Sequence, residues 1–94
     1  MVIWYLYTMV ASVERVQTGV RLEKRLLKVL KALADYHDMT LSDLIEGIVL
    51  HAFDGRSAFT DDSLSKIADL KHVFGLTLDG RDAHQLKEVG EVPS

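Results

Sequence analysis

The chain has 94 residues, 48% of them apolar, a formal net charge of −3 and no cysteine. These figures fit one compact domain with extensions, and they exclude a disulfide scaffold, a thiolate metal site and a chain too polar to fold. Mild acidity argues against nucleic acid only until the charges are placed. Residues 15–34 hold six basic residues and one acid, whereas residues 35–54 hold five acids and no Lys or Arg. A basic front and an acidic back leave a nucleic-acid surface open.

Residues 1–13, MVIWYLYTMVASV, are strongly apolar. They fall short of the roughly 20 residues a membrane-spanning helix needs, and they lack the basic start of a signal peptide. They read either as an extra strand or arm covering the core, or as an upstream extension with Met9 as the true start, the reading we favour. The absence of cysteine fits a reducing cytoplasm, where we expect the protein to work.

Residues 15–22, RVQTGVRL, alternate polar and apolar side chains and read as one strand. The period then changes to 3.6. The spacing predicts a helix over 24–37, with Leu26, Leu30 and Leu33 as its apolar stripe, Leu27, Ala34 and His37 flanking it, and Val29 off it. After a break at Asp38-Met39, Thr40 reads as an N-cap with Asp43 as capping-box partner, opening a helix over 41–53. The apolar face of this helix is wider than one neighbour needs, and Gly47 within it invites close approach by another helix. Gly55 is the expected left-handed cap. A third helix is expected over 62–74, closed by Gly75, and a marginal one over 82–89.

A strand and two helices spanning about forty residues rarely stabilise themselves without a metal, a disulfide or a partner. The strand has no mate in the sequence, so a second copy is the simplest partner. An antiparallel two-stranded ribbon would put Val16, Thr18, Val20 and Leu22 on a shared core and Arg15, Gln17, Gly19 and Arg21 outside. Such a ribbon fits the major groove of B-DNA, where Arg can pair with guanine and Gln with adenine.

The strand VQTGVRL, the helix LEKRLLKVLKALADYHDM and the second helix TLSDLIEGIVLHAF together resemble the ribbon-helix-helix family of DNA-binding domains, of the Arc/MetJ/CopG type. The resemblance covers about 40 residues. It implies a mainly α fold in which one N-terminal strand pairs across a homodimer and two helices follow, here with a C-terminal helical extension. The domains divide as an arm over 1–13, a dimerisation and DNA-binding unit over 14–54, and an extension over 55–94. The implied function is a homodimeric, sequence-specific transcriptional regulator bound to double-stranded DNA. The resemblance places base reading on Gln17, Gly19 and Arg21, and a phosphate anchor on Thr40, Leu41 and Ser42. Arg15, Lys24 and Arg25 are the further candidates for the DNA backbone. The chain departs from the family pattern in three respects. Glu23 stands where many members carry proline, Gly19 offers no side chain to a base, and Asp43 and Glu46 put negative charge beside the anchor.

The competing reading is a protein-interaction module of the same dimeric fold, resembling the antitoxins of the family, with the C-terminal extension as the surface for a protein partner. No enzyme, cofactor or metal site is expected. No pair among His37, His51, His72 and His84 has the i, i+4 spacing of a helical zinc site, and Ser57, Ser63 and Ser65 lack a nucleophile-elbow context.

Overall fold

The computed structural model describes residues 11–89, and its order is α1 (Lys24–Tyr36), α2 (Leu41–Phe53), α3 (Asp61–Phe74) and a short 3-10 turn (Gly80–Asp82). Each helix begins where a side chain can take up an orphan backbone N–H. Glu23 accepts from the Leu26 N–H at 2.9 Å, Thr40 from the Asp43 N–H at 3.1 Å and Thr60 from the Ser63 N–H at 3.2 Å. The ends of α2 and α3 are marked by Gly55 (φ 71°) and Gly75 (φ 68°), left-handed positions that suit a residue without Cβ. The break between α1 and α2 turns through Asp38, which takes φ 54° with a full side chain.

The chain is mainly helical, and the expected ribbon-helix-helix fold is not what it adopts. Among the described residues there is no strand. Residues 15–22 have no regular structure, every residue from 11 to 22 is exposed, and none of their backbone groups hydrogen-bonds to another described residue. The physical reason lies in the backbone. An extended segment becomes a strand only by exchanging N–H and C=O bonds with a neighbour, and none lies alongside among the described residues. Alternating side chains alone do not supply one. Val16, Val20 and Leu22, expected on a core face, are therefore in water, with Val16 85% exposed. The helix expected over 82–89 reduces to the 3-10 turn, held by Asp79 and Asp82 as a capping box. The expectations for residues 1–10, the status of Met9 among them, lie outside the described residues.

The core is small. Leu33, Ala34 and Leu44 are buried together, and Leu30, Ile48, Phe59, Ile67 and Leu70 pack against them. α1 is the central element, with α3 packed along it more extensively than α2. That placement corrects the expected stripe. Val29 is buried because α3 and Leu76 lie on its side of α1, while Leu26 is left at the edge. Arg25 fastens the arrangement by donating to the Gly75 carbonyl at 2.9 Å, tying the start of α1 to the end of α3. No helix among the described residues is long and apolar enough to cross a membrane.

Candidate nucleic-acid interface

The expected DNA-facing residues do not share one environment. Arg15 lies against the first turns of α2. Its Nε and Nη2 donate to the two carboxylate oxygens of Glu46 at 2.9 and 2.8 Å, and Nη2 also reaches Asp43 Oδ1 at 3.3 Å. This planar fork is the geometry that guanidinium and carboxylate form most favourably. The Arg15 hydrogen bonds hold the Glu46 carboxyl below its ordinary range, and the same bonds raise Arg15. Asp43 therefore does not fold back as a capping-box acid; its side chain meets Arg15 while its backbone N–H goes to Thr40. Arg15 offsets part of the negative charge beside the expected phosphate anchor, one cation facing two carboxylates.

Gln17 and Gly19 lie in the exposed N-terminal segment, and a Cβ at Gly19 would meet nothing. Arg21 is exposed and ion-pairs with Glu88, far along the chain. Arg25 is engaged by Glu23 at 3.2 Å and by Gly75, so its role here is structural. Glu23 is held below the ordinary carboxylate range, first by the Leu26 N–H and then by Arg25.

Lys24, Lys28 and Lys31 are different. They are exposed and make no ion pair within 4 Å among the described residues. Their spacing of four and three residues sets them in one row along α1. Thr40 and Ser42 are exposed and Leu41 is half-buried at the start of α2, where first-turn N–H groups and the helix dipole favour an anion. The structure thus separates the expected site into a free lysine row, an exposed segment with Gln17 and Arg21, and an α2 start whose two acids share one arginine.

Two features were missed. The Arg21–Glu88 pair joins positions 67 apart in sequence, and no local pattern signals it. The second feature is a partly buried relay: Thr60 Oγ1 donates to Ser63 Oγ at 3.3 Å, and Ser63 Oγ meets His37 Nε2 at 3.2 Å. Ser63 is the buried polar residue of the fold, and this relay satisfies it. His37 and His51 both line a hollow of about 220 Å³ between α2 and the start of α3. His51 Nδ1 lies 2.7 Å from the Gly47 carbonyl one turn back, and no group of three or more metal-ligating side chains forms among the described residues.

The second half of α2 presents Val49, Leu50 and Phe53 to solvent, with Leu50 63% and Phe53 81% exposed. A Cβ added at Gly47 would meet nothing within 4 Å, so no helix among the described residues makes the expected close approach to it. No family model, curated protein or solved structure matches the chain.

Proposed function

We propose that the protein is a DNA-binding transcriptional regulator that acts as a homodimer in the cytoplasm, where its DNA target lies. The observation that carries this reading is the row Lys24, Lys28 and Lys31, exposed and without acidic partners. Unneutralised cations in a row at helical pitch suit successive phosphates of a duplex. Gln17 and Arg21, in the exposed segment just before α1, are the side chains with base-reading chemistry. Arg21 would exchange Glu88 for DNA. Thr40, Leu41 and Ser42 add a backbone anchor for phosphate, where Arg15 offsets one of the two negative charges of Asp43 and Glu46. The apolar row Val49, Leu50 and Phe53 supports the dimer, since a core this small leaves those residues without cover.

Selection from a random duplex pool at near-physiological salt, with sequencing of the bound fraction, tests the proposal. The expected result is enrichment of a two-fold-symmetric site, with retention that weakens steeply as salt rises. Replacing Lys24, Lys28 and Lys31 by Gln should lower the salt slope by about one for each lysine that meets a phosphate.

A specific observation favours a second reading, a protein-interaction module. Arg15 and Arg21 are both held by carboxylates of the same chain, which lowers the free charge available to DNA. A folded dimer that retains no duplex at any salt concentration would favour this second reading.

A further inference from the structure

A groove follows the side of α1 that faces α3. Val29, Leu33 and Leu76 form its buried floor, Leu30 and Ile67 stand on its walls, and the turn over 78–86 closes it. Its volume is about 440 Å³, within the span of sites that take small ligands, roughly 300–1,000 Å³. No polar side chain points to a hydrogen-bonding role on the floor; the charged groups Lys71, Asp79 and Asp82 sit among the outer lining residues.

Those charges are not equivalent. Asp79 Oδ1 accepts from the Arg81 backbone N–H at 2.9 Å and Oδ2 from its guanidinium at 2.8 Å. Asp82 Oδ2 accepts from the Asp79 N–H at 2.9 Å. Both acids are thus committed to the 3-10 turn. The Lys71 ammonium makes no hydrogen bond and no ion pair within 4 Å among the described residues, its charge acting on Asp79 only at longer range and after the Arg81 hydrogen bonds, so its three donors carry no hydrogen bond. Lys71 and Arg81 balance Asp79 and Asp82, so the rim selects by available donors rather than by net field.

We propose that this groove binds an amphiphile with a single alkyl chain and a carboxylate head, the chain along Val29, Leu33 and Leu76 and the head on Lys71 Nζ. An apolar floor suits a chain that asks for no hydrogen bond, whereas an extended peptide would bury amides with nothing to bond. The proposal stands apart from DNA binding.

Isothermal titration calorimetry on the full chain, with decanoate and with decanol below their micelle-forming concentrations, tests it. Both should bind saturably at one site per chain. Lys71→Met should weaken decanoate about tenfold, as the loss of one charge-assisted contact implies, and leave decanol unchanged. Ala83→Trp, placed at the exposed edge of the groove, should abolish both. Absence of binding by a folded chain would overturn the proposal. So would equal loss of both ligands in Lys71→Met, or binding indifferent to Ala83→Trp. Decanoate that only dissociates a dimer, without one-site saturation, would show that a second copy covers the groove.

Discussion

Arg15 carries two carboxylates at once, and its titration behaviour follows from them. Glu46 is held below its ordinary value mainly by the Arg15 hydrogen bonds. A carboxylate depressed in the folded state contributes stability that is full above its unfolded pKa and is lost as pH falls through the folded one. The contact between the N-terminal segment and α2 should therefore hold at neutral pH and release in acid, as pH falls below the ordinary carboxylate range. The Arg15 Nε–H resonance should lose its hydrogen-bonded shift in that window, and Glu46→Gln should remove the pH dependence of this signal. A shift that persists unchanged in the variant would assign the titration elsewhere. Asp38 offers a second test at this scale. Its left-handed backbone, φ 54°, is costly for a residue with Cβ, although Asp tolerates it better than most. Asp38→Gly should raise stability by about 0.5 kcal/mol in thermal unfolding; a loss would mean that chain entropy outweighs the strain.

At the scale of elements, the helices were legible because their boundaries are local chemistry. Thr40 was read as an N-cap, and Gly55 and Gly75 as stops, from side-chain chemistry that acts within four residues; all three do so in the structure. The strand was not legible in the same way. Its alternation is local, but pairing is not, and the backbone of residues 15–22 finds no partner among the described residues. Val29 shows a related limit, since periodicity gives the pitch of a stripe while the tertiary position of α3 decides which flank is covered. The candidate site divides likewise. The lysine row follows from helical spacing, whereas the Arg15 fork and the Arg21–Glu88 pair depend on contacts 31 and 67 residues apart. α1 carries most of the packing, so Leu33→Ala, at the most deeply buried position, should cost about 2–5 kcal/mol. Thr60→Ala should cost about 1 kcal/mol through the lost α3 cap. Urea unfolding should rank the two in that order; a larger effect at Thr60 would show that α3, through the Thr60–Ser63–His37 relay, governs the fold.

For the whole molecule, the balance between buried and exposed apolar side chains decides what state should be stable. Only Val29, Leu33, Ala34, Leu44 and Leu76 are buried hydrophobics among the described residues, while Val16, Val20, Leu50, Phe53 and Val73 lie open to water. A core of this size sits near the limit of independent stability. In the proposed dimer a second copy removes part of that surface from water, worth about 25 cal/mol for each Å² buried, and couples folding to association. The midpoint of thermal unfolding should then rise with protein concentration. Phe53→Lys replaces an exposed side chain that contributes nothing to the described core, so it should leave the helices intact by circular dichroism. It should also remove the concentration dependence and halve the mass seen by sedimentation. A native chain whose midpoint is independent of concentration and whose mass is that of one copy would rule the dimer out, and the symmetric DNA site with it. If Phe53→Lys unfolds the chain at every concentration, the exposed half of α2 is part of an obligate core, and two-fold association precedes any binding of DNA.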